Sequence, residues 1–139
     1  MGPILGWRVW RVSREGPGVR LRSALRDQVW QPLAVLVAAC TQGGHTAPSE
    51  SCVCGVYAVR DEAAAARYLV GRNEPGDLHR VIGEVALWGW VVVADGGWRA
   101  SHAYPARIVV PSRRPDGRRA PADQLAAALS SYGVPVDIA

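Results

Sequence analysis

The sequence has no long hydrophobic run, and this absence limits where the protein can reside. The longest apolar run, residues 33–39, is far too short to cross a bilayer. Residues 1–10 do not have the charge and hydrophobic pattern of a secretory signal peptide. We therefore expect a cytoplasmic protein that does not contact a membrane.

Lysine and phenylalanine are also missing. All sixteen basic residues are arginine, and six tryptophans supply most of the aromatic content. High-GC codon usage explains the arginine bias more simply than selection for bidentate contacts does. The length of 139 residues and the hydrophobic content of 49% predict a single globular domain covering residues 1–139. A net charge of +4 permits an acidic partner such as nucleic acid without requiring one.

The motifs of several enzyme classes are absent as well. The sequence contains no zinc-deaminase pattern, nucleophile elbow, phosphate loop or carboxylate pair. What remains for catalysis is a pocket formed by Glu84, His79 and His102, with Glu84 among apolar neighbours. A surface position for Glu84, or an ion pair with Arg99 on the neighbouring strand, is the simpler interpretation. We therefore do not expect an enzyme.

The three cysteines that are present lie within residues 40–55 together with a histidine. Their spacing is Cys-x4-His-x6-Cys-x-Cys, formed by Cys40, His45, Cys52 and Cys54. These residue types are the usual ligands of a closed, tetrahedral and structural Zn²⁺ site. The residues between them have no apolar periodicity, so metal binding would supply the free energy that orders the segment. The pattern therefore predicts a zinc-binding loop.

Other interpretations of this segment remain open at the level of sequence. The cysteines can be ordinary buried thiols beside a loop histidine. A disulfide can link Cys52 to Cys54 or Cys40 to Cys52, although three cysteines cannot all pair and no signal peptide indicates an oxidising compartment. A nucleophilic Cys–His pair is possible only without zinc, because a zinc-bound thiolate is already committed.

Alternating apolar residues predict several strands. A hairpin is expected from residues 6–13 and 19–25 across the turn at 15–18, and a second from 81–94 and 98–104 across the turn at 95–97. Residues 33–39 predict a buried strand, 55–59 a short strand, and 107–110 a further strand after Pro105. Within 81–94, Gly89 predicts a bulge. The core face of that strand is expected to carry Val81, Gly83, Val85, Leu87, Gly89, Val91 and Val93.

Two helices complete the prediction. Asp61 is placed to cap a helix over residues 63–70. A second helix over residues 121–132 carries an apolar stripe and ends at Gly133; the stripe consists of Leu125, Ala128, Leu129 and Tyr132. The predicted fold class is α+β: a curved, mostly antiparallel sheet or small β-barrel with two packed helices and the zinc-binding loop.

Two surfaces are candidates for ligand binding. The basic loop over residues 111–121 offers four arginines to phosphate groups, and three tryptophans offer stacking surfaces. These residues are Arg113, Arg114, Arg118 and Arg119, with Trp88, Trp90 and Trp98. The arginines can equally be a solvated loop, and the tryptophans can be packing residues. An exposed tryptophan patch can also receive a protein partner.

Five short motifs carry a resemblance that covers most of the chain. They are Cys-x-Cys-Gly-x-Tyr-Ala at 52–58, Gly-x-Val-x-Leu-Trp-Gly at 83–89, Gly-Trp-Arg-Ala at 97–100, Ala-Tyr-Pro at 103–105 and Tyr-Gly-Val-Pro-Val at 132–136. With them the chain resembles a set of small uncharacterised proteins of high-GC actinobacteria. No activity is known for that set, so the resemblance implies none. The order and size of the elements are also similar to PUA-like barrels that bind RNA or modified bases, which is an analogy of fold alone.

These observations together predict a zinc-stabilised, non-enzymatic binding or regulatory module. Nucleic acid is the favoured ligand because of the arginine loop and the tryptophans. A protein-interaction adaptor is the alternative.

Overall fold

A computed structural model describes residues 2–139, and its first two strands form the predicted N-terminal hairpin. Strand β1 (Ile4–Glu15) pairs antiparallel with β2 (Gly18–Ser23), so that Trp10 lies opposite Ser23. A short strand β3 (Val29–Trp30) continues the sheet beyond β2. The remaining strands are β4 (Leu36–Val37), β5 (Val56–Val59), β6 (Asp77–Ala94), β7 (Gly97–Val110) and β8 (Val136–Ile138). The helices are α1 (Glu62–Ala66) and α2 (Ala122–Leu129), followed by 3₁₀ turns Arg67–Leu69 and Ser130–Tyr132 respectively.

All eight strands belong to one mixed sheet. The long β6–β7 hairpin is its largest unit: β1 lies on the other side of β6, while β4, β5 and β8 lie along the other side of β7. Only β8 runs parallel to its neighbour among the described strands. The α+β class is therefore confirmed. Strands β1 and β5 share a single residue pair, Trp7 with Val59, and closure into a barrel stays a prediction.

Strand β1 has apolar clusters on both of its faces. The larger cluster surrounds Trp10 and contains the buried stripe of α2, as the helical periodicity predicts. Tyr132 at the end of that stripe donates its hydroxyl to the Trp30 carbonyl and accepts the Leu21 amide at 2.8 Å. The smaller cluster packs Val9 and Ile82 against α1. The two helices thus cover opposite sides of the β1–β6 pair.

The predicted bulge at Gly89 is present, but part of the core face predicted for β6 is exposed. Pairing with β7 shifts register between Trp88 and Val91, and Gly89 has a φ of 82°. A Cβ at Gly89 would lie 2.4 Å from the Ser101 hydroxyl, so this position needs glycine. The predicted core-face residues up to Leu87 are buried, and Val91 packs against the core beyond the bulge. Gly89 is exposed and Val93 is 72% exposed, so these two positions were wrongly assigned to the core. Val93 lies two residues before the turn that joins β6 to β7, where the strand is no longer covered.

The apolar segment at residues 33–39 is not the buried strand that the sequence predicts. Only Leu36–Val37 forms a strand, and Leu33, Val35 and Val37 are exposed. The strand pairs with the edge of β7 at Ala103 and His102. Pairing with β7 satisfies the backbone hydrogen bonds along one edge of β4, and no element of the described chain covers the face that carries Val35 and Val37.

Three smaller expectations also change. Strand β7 continues through Pro105, because a register shift beside Val85 lets the proline enter without breaking the ladder. Asp61 occupies the N-cap of α1 but makes no side-chain capping bond, and the α-helix ends at Ala66. Strand β8 was not predicted from the sequence at all; its three residues give too short an alternation to be recognised.

Candidate metal centre

The segment between β4 and β5 leaves the sheet and returns to it at neighbouring positions along β7. Val37 pairs with His102, and the next amide, that of Ala38, donates to the Ser101 carbonyl at 2.8 Å. Val56 then resumes pairing opposite Ala100. Residues 38–55 therefore form a loop with closely spaced ends and contain no helix or strand. Closure of this loop on β7 brings its first and last cysteines together.

The structure brings together the four predicted ligands, and their spacing fits a tetrahedral metal ion. One ligand atom from each of Cys40, His45, Cys52 and Cys54 lies within 4.8 Å of the others. The Sγ atoms of Cys40 and Cys52 are 3.7 Å apart, and His45 Nε2 is 3.4 Å from Cys54 Sγ. A tetrahedron with metal–sulfur bonds of about 2.3 Å and metal–nitrogen bonds of about 2.0 Å has edges of roughly 3.5–3.8 Å. The four side chains can thus hold a metal ion.

The geometry does not support the disulfide alternatives. All three cysteines are free thiols. The 3.7 Å between the Cys40 and Cys52 sulfurs far exceeds a disulfide bond of about 2.05 Å. Three unlinked thiols close to a histidine nitrogen are suited to binding a metal ion.

Two of the thiols differ in how readily they lose a proton. Hydrogen bonding from the Cys54 backbone, with a contribution from the Cys40 side chain, lowers the pKa of Cys52 to about 7. Burial raises the pKa of Cys54 above its ordinary value. Since a metal binds the thiolate form, binding must displace the proton from the buried Cys54.

An arginine of β7 fastens this loop to the sheet. Arg99 Nη1 donates to the carbonyls of Ser49 and Cys54 at 3.0 and 2.8 Å. Its side chain is 8% exposed, and no carboxylate of the described chain lies within ion-pair distance of it. A divalent ion bound by three thiolates would carry a net charge of −1, which the Arg99 guanidinium would partly offset. This role of Arg99 was not predicted from the sequence, in which its only signal is an arginine inside a strand.

The loop also depends on Gly55, which connects the last ligand to β5. Its φ is 119°, a region that residues with a Cβ rarely adopt. A Cβ there would lie 3.0 Å from the Cβ atoms of both Arg99 and Pro48. Glycine therefore allows the backbone after Cys54 to approach β7 closely.

The residues suggested for an enzyme pocket do not meet. His79 lies five residues before Glu84 on β6, which at about 3.3 Å per residue is a separation of roughly 17 Å. His79 donates from Nε2 to the Pro111 carbonyl at 2.8 Å. Glu84 pairs with Arg107 at 3.4 Å rather than with Arg99. These residues therefore do not form the pocket that was considered for an enzyme, and Glu84 does not form the ion pair with Arg99 that was one of the two simpler interpretations.

The arginines of the basic loop differ in what they contact. Arg113 and Arg119 lie opposite each other in a β-bridge, and the Arg113 side chain donates to the Gly117 carbonyl at 3.1 Å. Arg114 Nη1 donates to the Leu78 carbonyl at 2.8 Å, which fixes the loop to β6. Arg113, Arg118 and Arg119 are exposed, whereas Arg114 is half-buried. Three of the four are thus available to a ligand.

The three tryptophans do not form one stacking surface. Trp90 is 67% exposed beside the Gly89 bulge. Trp88 stacks on His102 with ring centroids 6.0 Å apart, and the Arg60 guanidinium lies 4.6 Å from the centre of the Trp98 ring. Only Trp90 therefore presents a largely uncovered ring among these three. The basic loop follows the C-terminal end of β7, whereas Trp98 lies at the N-terminal end of the same strand.

The chain matches no protein-family model, no curated protein and no solved structure. The resemblance to the actinobacterial set therefore stays an expectation based on its motifs. Within residues 2–139, neither helix has the length and apolar character needed to cross a bilayer. The site must accordingly be interpreted from its own chemistry.

Proposed function

We propose that this protein is a non-enzymatic binding or regulatory module whose loop at residues 40–55 is stabilised by structural Zn²⁺. The observation that supports this most directly is the cluster of four ligand atoms that lie within 4.8 Å of one another. Three thiolates and one imidazole suit zinc and disfavour magnesium or calcium, which take oxygen ligands. Four protein ligands leave no open position for substrate, so the ion has no catalytic role. Reduced thiols at this spacing suit a reducing compartment, and we place the protein in the cytoplasm.

Metal analysis tests the zinc centre. Protein purified without chelator should contain about one zinc per chain, as four ligands in one site require. Cys52→Ser or Cys54→Ser should release the metal and lower the thermal midpoint of unfolding. Val53→Ser is the matched control, because Val53 is exposed and lies between these two ligands. A metal-free preparation whose melting is unchanged by strong chelation would contradict the proposal.

Nucleic acid is the ligand that we favour. The net charge of +4 and the exposed arginines Arg113, Arg118 and Arg119 support binding to a phosphate backbone. Trp90 offers one exposed ring for stacking. Arg114 is less suitable, because its guanidinium already donates to the Leu78 carbonyl.

The salt dependence of affinity tests this ligand. Replacing Arg113, Arg118 and Arg119 with serine removes up to three phosphate contacts. The slope of log K against log salt should then become shallower by about 2–3, at roughly 0.7–0.9 per contact. Arg114 is retained in this variant so that the fold is preserved, and Arg67→Ser is the control at an exposed arginine outside the loop. An unchanged slope would remove the loop from the binding surface.

A protein-interaction adaptor is the second candidate, and one row of side chains favours it. Val37, His102 and Trp88 lie side by side across β4, β7 and β6, with Trp90 beyond the bulge. Val37 and Trp90 are largely exposed, which is uncommon for large apolar side chains. Weak nucleic-acid binding that survives the arginine replacements would favour this candidate. Trp90→Ala should then preserve folding and abolish partner binding, with iodide quenching of tryptophan fluorescence reporting the exposed ring.

A further inference from the structure

A gap in the sheet opens a cleft beside β1, which we call the aromatic slot. Along the edge of β1 that faces away from β6, Trp7 pairs with β5 and the residues from Trp10 onward pair with β2. Arg8 and Val9 therefore have no strand partner along that edge. The slot has a volume of about 330 Å³, within the range of small-molecule sites. Its aromatic lining comes from Trp7, Tyr57 and Tyr68.

Arg8 lies in this slot with incomplete hydrogen bonding. Its guanidinium is 4.7 Å from the centre of the Trp30 ring, and Nη1 donates to the Tyr57 carbonyl at 2.9 Å. Its Nε is buried without a partner, and Arg8 forms no ion pair with a carboxylate of the described residues. Burial lowers the pKa of Arg8 to about 10, which still leaves it charged near neutral pH. A cation in this environment is stabilised by an acceptor on a bound ligand.

A second cleft adjoins the slot and is lined by arginine; we call it the arginine cleft. Its volume is about 580 Å³. Six arginines and three carboxylates line it, so its formal charge is +6 − 3 = +3. The arginines are Arg11, Arg14, Arg22, Arg26, Arg72 and Arg80, and the carboxylates are Asp27, Glu74 and Asp77. A concave surface of this charge attracts an anion.

The carboxylates leave some of these arginines without an ionic partner. Arg11 pairs with Asp77 and Arg22 with Asp27, each at 3.0 Å. Arg80 is 6% exposed and donates only to backbone, to the carbonyls of Tyr68 at 2.8 Å and Arg72 at 2.6 Å. Its Nε is buried without a partner, like that of Arg8. The two arginines of the described chain whose Nε is buried without a partner therefore line these two clefts.

We propose that the two clefts form one site for an organic phosphate that carries a planar ring. The clefts share a wall that includes Arg26 and Tyr68. The ring stacks in the aromatic slot, where Arg8 donates to an acceptor on its edge, and the phosphate binds Arg26 and Arg80. A nucleotide has this chemistry, either free or as part of a single strand. The site depends on the proposed nucleic-acid function for its ligand class, but it uses residues outside the 111–121 loop.

Calorimetric titration of the metal-loaded protein tests whether both clefts contribute. The probes are adenosine 5′-monophosphate, adenosine, inorganic phosphate and a short single-stranded oligonucleotide. The monophosphate should bind at least about tenfold more tightly than adenosine or phosphate, because only it fills both clefts. Equal affinity for phosphate and monophosphate would eliminate the slot as a ring site. Equal affinity for adenosine and monophosphate would eliminate the arginine cleft.

The oligonucleotide distinguishes the two sources of the ligand. Tighter binding of the strand than of the monophosphate indicates a nucleic-acid segment. Binding of the monophosphate alone indicates a free nucleotide. If neither binds, the proposed site is wrong.

Substitutions at exposed positions separate the clefts without removing a buried group. Arg26→Ser should weaken the monophosphate about tenfold and change adenosine much less, since Arg26 is exposed on the shared wall and in the proposed site its charge binds the phosphate. Tyr68→Ala should weaken both compounds by a similar factor. Arg67→Ser is the control, because Arg67 is exposed and lines neither cleft. Arg8→Met tests the slot directly, and if this variant does not fold, the two exposed substitutions still decide.

This experiment can fail independently of the proposed function. Nucleic-acid affinity that depends on Arg113, Arg118 and Arg119, but not on Arg26 or Tyr68, would refute the bipartite site and leave the basic loop as the ligand surface. Conversely, monophosphate binding that needs Arg26 and is unaffected by the loop substitutions would support the site and exclude the loop.

Discussion

The β6–β7 hairpin and the loop at residues 38–55 are ordered by different kinds of interaction. In the hairpin, Val85, Leu87 and Ala103 are completely buried, and the two strands form a long antiparallel ladder. The loop has no helix or strand, and its residues are mostly exposed. Four ligand atoms and the two carbonyl bonds of Arg99 hold it instead. The protein therefore combines a region stabilised by apolar burial with one held by few contacts, for which we propose stabilisation by a metal ion at the Cys/His cluster.

The largest expected effect comes from truncating the hairpin core. Leu87→Ala should lower the free energy of unfolding by about 2–5 kcal/mol, because Leu87 is completely buried. Val93→Ala, on the same strand but 72% exposed, should change it by no more than about 0.5 kcal/mol. Urea denaturation measures both variants, and their zinc content should equal that of the parent protein. Loss of zinc from folded Leu87→Ala would show that the two regions are not independent.

An intermediate effect is expected at Arg99, where the two regions meet. Arg99→Met removes the donor to the Ser49 and Cys54 carbonyls, which should cost about 1.5–3 kcal/mol of stability. Competition with a chelator should show metal affinity reduced by about 10–100-fold, as is typical when a partner of a ligand residue is lost. Arg107→Met on the same strand is the control, because Arg107 pairs with Glu84 and Asp137 at a half-exposed site and should cost under about 1 kcal/mol. Equal metal affinity in the two variants would mean that Arg99 supports only the sheet.

The smallest effect is expected at His79, on β6 away from the loop. Burial, together with the charge of Arg114, lowers the pKa of His79 despite its bond to the Pro111 carbonyl. The unfolded chain then binds a proton more readily than the folded one. The stabilising contribution is fully present above about pH 6.5 and is lost as pH falls through the lower folded-state pKa.

His79→Gln isolates this contribution, because glutamine keeps an N–H donor and does not titrate. The difference in unfolding free energy between the parent and the variant should be constant above about pH 6.5. Below this pH the parent should lose stability relative to the variant, by under about 1 kcal/mol. Protonation of the metal ligands affects both proteins equally and cancels in the difference. Parallel stability curves from pH 5 to 7.5 would contradict the assignment.

The sequence predicted best those features that have a local cause. Glycine turns and period-two alternation identified both long hairpins, and the stripe ending at Tyr132 identified α2. The candidate metal ligands were predicted because Cys40, His45, Cys52 and Cys54 lie close together in the chain, and the structure brings them together. Gly89 was predicted as a bulge, but the alternation could not show that β6 extends past the core at Val93.

Features decided by distant parts of the chain were missed. The apolar composition of residues 33–39 indicates burial, but their exposure depends on what covers β4 in three dimensions. Strand β8 joins the sheet only because α2 returns the chain to Ile108 on β7. Arg99 bonds to backbone carbonyls, which any residue provides, so no side-chain pattern could reveal its partners.

The pairing of β1 with β6 has a consequence for the rate of folding. The β6–β7 hairpin closes through a turn at Asp95 and Gly96 and can form early, whereas Ile4 must find Leu87 across the whole intervening chain. The four candidate metal ligands lie in the segment between Ile4 and Leu87. Pairing two strands that are separated by a long flexible segment is slow, because the segment must first be closed into a loop. An ion that links Cys40 to Cys54 shortens the flexible part of this segment. We therefore expect the metal-loaded chain to refold faster than the metal-free chain, so that the ion affects the route to the native state as well as its stability.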